Sequence, residues 1–149
     1  MKNSIRFSLF AIGFSLAAMT VPGLADDMSA SQAATYKEIE GMFGGKLPEF
    51  IKKFPKAGIV GAWEEAKSLE FSDKTALSPK VKSLIGIAVA AQIPCDYCVY
   101  ADTIAAKNAG ATDEEIAEAV GMAALTRHWS TAFHGLQIDL TQFKKDFGG

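Results

Sequence analysis

The sequence predicts an all-α fold, and three observations lead to this prediction. No stretch after residue 25 alternates apolar and polar residues between turn signals for long enough to form a β-strand. Several segments instead repeat apolar residues at the spacing of an α-helix. Proline, glycine and capping residues lie between these segments, where helices begin and end.

Seven helices are predicted on this basis. They cover residues 29–43, 48–54, 58–71, 78–93, 95–109, 112–134 and 138–147. Ser29 or Ser31 can cap the first helix, and Gly44-Gly45 ends it. The second helix is short and ends at a proline. The third places its apolar residues on one side, so Trp63 is expected to anchor the core.

The fourth helix is hydrophobic nearly all round. Ser78 caps it, Pro79 lies in its first turn, and residues 84–91 are almost continuously apolar. Such a helix is expected to be central and buried, or to lie in a subunit interface. Pro94 suits the first turn of the fifth helix, which ends at Gly110.

The last two helices also have terminal signals. Thr112 and Glu115 match a capping box that opens the sixth helix, and Gly135 is expected to close it. The seventh helix is amphipathic.

The composition fits one compact globular domain. The chain has 149 residues, of which 49% are hydrophobic and 21% charged, and this excludes disordered and fibrous classes. The net charge is −2, and a charge of this sign does not attract nucleic acid or anionic lipid. The glycines match neither the Walker nor the dinucleotide-binding pattern. We therefore expect no nucleic-acid partner and no cofactor.

Residues 1–25 have the pattern of a cleavable signal peptide. Lys2 and Arg6 accompany an apolar run over residues 7–21, which is shorter than the roughly 20 residues of a membrane-spanning helix. Small residues occupy the third and first positions before a cut after Ala25. Cleavage would leave one domain over residues 26–149, without a membrane segment, in the periplasm or secreted. An uncleaved N-terminal anchor is the alternative.

Both cysteines lie in one Cys-x-x-Cys segment, as Cys95 and Cys98. In a first helical turn this spacing puts both sulfurs on one face within bridging distance, and the helix N-terminus favours a thiolate. The pattern is typical of a redox dithiol. The alternative is a structural disulfide, which for so small a loop contributes about 2 kcal/mol before strain.

Two other interpretations of the cysteines are disfavoured. A zinc site would need His128 and His134, which point about 240° apart on one helix, so no metal is expected. A thioredoxin domain would need a βαβ pattern around the cysteines.

Three motifs give a more specific indication. They are Ile-Pro-Cys-Asp-Tyr-Cys at 93–98, Gly-Ala-Thr at 110–112 and Thr-Arg-His-Trp-Ser at 126–130. With the surrounding residues from Lys80 onward, they resemble the alkylhydroperoxidase D-like core of the carboxymuconolactone decarboxylase family. The resemblance implies an all-α helical bundle, assembly as a homo-oligomer, commonly a trimer or hexamer, and thiol peroxidase chemistry.

The resemblance also implies a role for each cysteine. Cys98 would attack the O–O bond of a peroxide, and Cys95 would resolve the sulfenic acid into a disulfide. Helix-dipole reasoning alone favours Cys95 as the nucleophile, because Cys95 lies nearer the helix start. Which cysteine reacts first therefore stays open at this point.

The sequence departs from the family at two proton-relay positions. Ser83 stands where a glutamate is usual, and Asp102 where a histidine is usual. Ser83 can only form hydrogen bonds or hold a water molecule. Asp102 lies one helical turn from Cys98: ionised, it opposes a thiolate, and protonated by burial, it can donate or shuttle a proton. The alternative is an exposed aspartate in a site that has lost its peroxidase role.

Other side chains near the motifs have two interpretations each. His128 can compensate as a base, or it can be a half-buried structural histidine. Tyr97 and Tyr100 can wall the pocket, although aromatic packing is the default. Three glutamates of the third helix are interpreted as a solvated face: Glu64, Glu65 and Glu70.

Three functions follow from these observations. The first is an exported, thiol-dependent hydroperoxide reductase or thiol-disulfide oxidoreductase, with a hydroperoxide or disulfide substrate and an unidentified thiol reductant. The second is a non-redox enzyme like the decarboxylases, which the Cys-x-x-Cys pair disfavours. The third is a binding or scaffold protein whose catalysis is lost, as the changes at Ser83 and Asp102 would allow.

Overall fold

The computed structural model describes residues 28–149, and the predicted signal peptide at 1–25 lies outside them. Within the described residues the fold is all-α, as predicted, with no strand. The helices are α1 (Ala30–Met42), α2 (Glu49–Lys53), α3 (Ile59–Glu65), α4 (Pro79–Gln92), α5 (Asp96–Asn108), α6 (Asp113–Gly135) and α7 (Leu140–Asp146). A 3₁₀ turn precedes α3, and a π-helical segment, Ala66–Glu70, continues it. None of the described helices is both long and apolar enough to span a membrane.

Most helix ends follow the sequence signals. Ser29 and Thr112 both form capping boxes, and the Ser78 hydroxyl accepts a hydrogen bond from the amide of Val81, the third residue of α4. These caps satisfy amide groups that have no partner inside the helix. Gly44 and Gly110 adopt left-handed backbone with φ of 69° and 84°, which ends α1 and α5 where the glycines predict.

Some boundaries differ from the prediction. Pro94 precedes α5 instead of lying in its first turn, because the extended Cys95 is the N-cap. Gly135 is the last residue of α6, since the amide of Leu136 still bonds to a carbonyl of that helix, and the left-handed residue is Gln137 at φ 53°. The last helix begins two residues later than predicted.

One buried cluster joins α1, α2 and α3. It contains Ile39, Ile51, Ile59 and Trp63. The indole of Trp63 is 7% exposed, and its N–H donates to the Glu38 carboxylate at 2.9 Å. The prediction that Trp63 anchors the core is confirmed.

A second layer is formed by α4, which packs against both α5 and α6. Only Ile87 and Ala90 of α4 are buried, whereas apolar residues on its other side stay exposed, Ile85 at 49% and Val89 at 52%. In a single chain α4 is therefore central, as expected, but it is not buried all round. Burial of this face in a subunit interface stays a prediction.

Candidate active site

The two cysteines lie at the start of α5 and form a disulfide. Cys95 is the N-cap and Cys98 follows in the first turn, with an S–S distance of 2.04 Å and a Cα–Cα distance of 5.3 Å. The amide N–H of Cys98 also donates to Sγ of Cys95 at 3.2 Å. Both residues are half-buried. The prediction that the sulfurs lie within bridging distance is confirmed.

Cys98 lines a cavity of about 440 Å³ beside α4 and α5, and Cys95 is not part of that lining. Most of the wall is apolar, and its apolar side chains are Leu69, Leu77, Ile85, Val89, Ala90 and Ile93. Three charged residues complete it: Glu70, Lys82 and Asp102. The arrangement places one sulfur and two carboxyl groups around a mostly apolar space.

Asp102 lies one turn after Cys98 on α5 and packs directly against Gly86 of α4. A Cβ atom added at Gly86 would lie 2.5 Å from Oδ2 of Asp102, so only glycine leaves room for this carboxylate. Asp102 is half-buried, and burial raises the pKa of its carboxyl group. Asp102 is therefore not an exposed helix residue, whereas the loss of a peroxidase role stays a prediction.

Glu70, the last residue of the π-helical segment, lines the same cavity. Burial raises the pKa of the Glu70 carboxyl group, and the nearby charge of Asp102 raises it further. The interpretation of Glu70 as part of a solvated face is therefore incomplete: the residue keeps exposed surface but contributes to the cavity wall. The missed signal is its spacing, because Glu70 follows Trp63 by seven residues, about two helical turns, and so falls on the apolar face.

Lys82 fixes this segment to α4. Its Nζ donates to the carbonyl oxygens of Leu69 and Ser72, both at 2.6 Å. These acceptors lie on either side of Glu70, so the lysine holds the backbone that carries the glutamate. Sequence reasoning gave Lys82 no role, since its acceptors belong to an irregular segment.

The other predicted site residues lie elsewhere. Ser83 is half-buried on α4, one turn before Gly86, and does not line the cavity. His128 of α6 is exposed rather than half-buried, and its ring contacts that of Trp129 with centroids 5.3 Å apart; it does not line the cavity either.

The two tyrosines beside the cysteines do not form part of the cavity wall. Tyr97 and Tyr100 are 89% and 71% exposed, so neither forms the cavity wall nor packs in the core. Across the part of the chain that the structure describes, no three His, Cys, Asp or Glu residues are grouped to hold a metal ion.

Comparison with known proteins assigns the fold and the family. The model of the carboxymuconolactone decarboxylase family matches residues 58–139, more than half of the chain. The chain belongs to this family. The family match includes α4, α5 and α6 and therefore both cysteines and Asp102. A comparison with curated proteins found no match.

A solved structure supports the same fold for this carboxymuconolactone decarboxylase family member. The chain is similar to the alkylhydroperoxidase AhpD core from Rhodospirillum rubrum, with a TM-score of 0.63 and 23% sequence identity. The alignment covers 74% of this chain and 82% of that chain. The expected AhpD-like helical fold is confirmed.

Proposed function

We propose that this family member reduces hydroperoxides through thiol chemistry, with Cys98 as the nucleophile and Cys95 as the resolving cysteine. The observation that carries the proposal is the placement of Cys98, and not Cys95, in the wall of the cavity. Helix position alone favours a thiolate at Cys95, but a substrate in the cavity would meet Cys98 first. Access therefore supports the assignment that the family resemblance implies.

Asp102 is proposed as the group that accepts the thiol proton. Transfer from Cys98 to the Asp102 carboxylate leaves one negative charge in the apolar cavity, whereas ionising both groups would place two there. The raised pKa of Asp102 makes its carboxylate a better proton acceptor than an ordinary aspartate. Asp102 thereby takes over part of the task of the usual histidine. Ser83 and His128 are left out of this proposal, because neither lines the cavity.

The reaction balances with one external reductant. The Cys98 thiolate attacks the terminal oxygen of the hydroperoxide, the O–O bond breaks, and an alcohol leaves after it takes up a proton. The thiol of Cys95 then attacks the sulfenic acid, releases water and forms the disulfide. A dithiol protein or small thiol reduces this disulfide by exchange.

The apolar wall favours an organic hydroperoxide with an apolar group. The volume of about 440 Å³ falls within the range of small-molecule pockets, roughly 300–1,000 Å³. The cavity is much larger than hydrogen peroxide needs. We therefore propose that cumene hydroperoxide reacts faster than hydrogen peroxide.

Export and assembly are further parts of the proposal. The pattern of residues 1–25 supports a periplasmic or secreted protein. Exposed apolar side chains on α4 and α5, such as Val89 and Ile104, support a homo-oligomer, either trimer or hexamer. Light scattering of the purified protein would measure its mass in solution, and a monomer at micromolar concentration would contradict the assembly.

Stopped-flow oxidation of the reduced protein tests the activity. Thiol loss is followed with cumene hydroperoxide and with hydrogen peroxide, and Cys98→Ser is the control. We expect oxidation far faster than that of a free thiol, and its loss in the control. An ordinary thiol rate would contradict the peroxidase and would favour a binding protein with a structural disulfide.

A further inference from the structure

We propose that Glu70 is the acid of this site: it gives a proton to the alkoxide that leaves when Cys98 attacks the hydroperoxide. This inference rests on the proposed function and adds a residue that lies outside the Cys-x-x-Cys helix. The family resemblance assigns no role to this position, and the cavity lining alone draws attention to it.

Glu70 reaches the cavity from an irregular segment whose position is fixed. A π-helical segment carries Glu70, and its end is fixed by the two hydrogen bonds from Lys82 to the backbone beside Glu70. Irregular π turns are frequent at functional sites, where they reorient side chains. Glu70 and Asp102 thus approach the same cavity from two different segments, with Cys98 in its wall.

The cavity holds more acidic than basic side chains. The charged or titratable side chains that line the cavity are Glu70, Lys82, Cys98 and Asp102. Lys82 uses two of its three donors on backbone carbonyls, which directs its ammonium group toward the backbone. An apolar space that holds two carboxyl groups favours a state in which one of them keeps its proton.

The two carboxyl groups differ in their position relative to Cys98. Burial raises the pKa of both groups, but the charge of Asp102 acts on Glu70 in addition. Two carboxyl groups that repel one another do not ionise together, so one of them keeps its proton to a higher pH. We assign that proton to Glu70, because Asp102 lies one turn after Cys98 on α5 and is placed to take the thiol proton. Asp102 is therefore assigned as the base and Glu70 as the acid, a division of roles that is known from other sites with paired carboxyl groups.

The proton balance follows from this division. Asp102 takes the proton of the Cys98 thiol, and the thiolate attacks the terminal peroxide oxygen. The S–O bond forms, the O–O bond breaks, and the proton of Glu70 moves to the alkoxide to give the alcohol. Proton transfer from Asp102 to Glu70 then returns both carboxyl groups to their starting protonation states. Sulfur loses two electrons and the peroxide gains them.

Glu70→Gln tests the proposal, and Glu65→Gln is the matched control, because Glu65 ends α3 and is exposed. The rate of thiol oxidation by cumene hydroperoxide is measured from about pH 5 to 8 in the full chain. We expect Glu70→Gln to slow the reaction about 10²-fold, the lower end for loss of a general acid. Glu65→Gln should match the wild type, and Glu70→Asp, which retains a carboxyl group, should restore part of the rate.

Two further readouts separate acid catalysis from a structural effect. In the wild type, the rate constant for the reaction of the Cys98 thiolate with cumene hydroperoxide should fall as the pH rises through the pKa of Glu70. This pH dependence should vanish in Glu70→Gln. The pKa of the Cys98 thiol, measured by the alkylation rate in a Cys95→Ser background, should stay equal or fall, because glutamine carries no negative charge. A slower peroxide reaction with an equal or more acidic thiol is the expected signature.

The outcomes distinguish the two proposals. If the wild type is fast and Glu70→Gln keeps the rate and pH profile of Glu65→Gln, the role of Glu70 is refuted and the peroxidase stands. If Glu70→Gln is slow only because the thiol pKa rises, its role as an acid is likewise refuted. If the wild type reacts no faster than a free thiol, both the proposed function and the role of Glu70 are refuted.

Discussion

Gly86→Ala is predicted to have two opposing effects on stability. Gly86 lies inside α4, where alanine favours the helix by about 1 kcal/mol over glycine. The added Cβ would lie 2.5 Å from Oδ2 and 2.7 Å from Cγ of Asp102, closer than such atoms approach in proteins. The Asp102 side chain must therefore rotate away from α4.

The size of the net effect follows from these two contributions. Overpacking of a close contact costs about 1–3 kcal/mol. Gly86→Ala should therefore leave the free energy of unfolding unchanged or lower it by up to about 2 kcal/mol, after the helix gain of about 1 kcal/mol. Gly121→Ala in α6 is the control, because among the described residues no other part of the protein lies within 4 Å of a Cβ added there. The control should stabilise by about 1 kcal/mol.

Urea unfolding of the oxidised protein measures these differences. A double-mutant cycle with Asp102→Ala isolates the contact: in that background Gly86→Ala should stabilise as much as Gly121→Ala. The coupling energy should be at least about 1 kcal/mol. If Gly86→Ala stabilises the wild type as strongly as the control does, the Asp102 carboxylate does not occupy this place, and the predicted contact is refuted.

Three further predictions concern stability. Burial raises the pKa of Asp102 in the folded state, so the contribution of this carboxyl group to stability is present below its unfolded pKa and is lost as the pH rises through its folded pKa. From acidic to neutral pH, the free energy of unfolding of Asp102→Asn should therefore increase relative to that of the wild type. Urea unfolding at several pH values measures this difference. Trp63→Ala should cost about 3–5 kcal/mol, and Trp63→Phe less, because the buried indole fills the core beside Glu38; denaturant midpoints measure both. Reduction of the Cys95–Cys98 disulfide should lower the free energy of unfolding by no more than about 2 kcal/mol, because the closed loop is so small. Urea unfolding with and without a reductant measures this loss. A much larger loss would indicate a structural disulfide.

The regular elements of this fold are largely predictable from the sequence. Caps such as Ser78 and Thr112 act through hydrogen bonds within a few residues, so their effect can be derived without tertiary structure. The position of Asp102 beside Cys98 is predictable for the same reason, because one helix fixes their spacing. Its environment is not, since the close approach at Gly86 depends on how α4 packs against α5.

The second carboxyl group shows where local reasoning fails. Glu70 reaches the cavity through a π segment whose end is held by Lys82, and that lysine comes from another helix. Helical spacing alone puts Glu70 on the apolar face but does not say what it meets there. His128 illustrates the reverse case: its place in a shared motif suggested the site, but α6 leaves it exposed.

The central claim is that Cys98 is the cysteine attacked by peroxide, and trapping of its sulfenic acid tests this most directly. Reduced Cys95→Ser protein is treated with one equivalent of cumene hydroperoxide in the presence of dimedone, and the adduct is located by mass spectrometry. We expect a dimedone adduct on Cys98, and little adduct on Cys95 in the reciprocal Cys98→Ser protein. An adduct on Cys95 alone, or on neither cysteine, would contradict this claim.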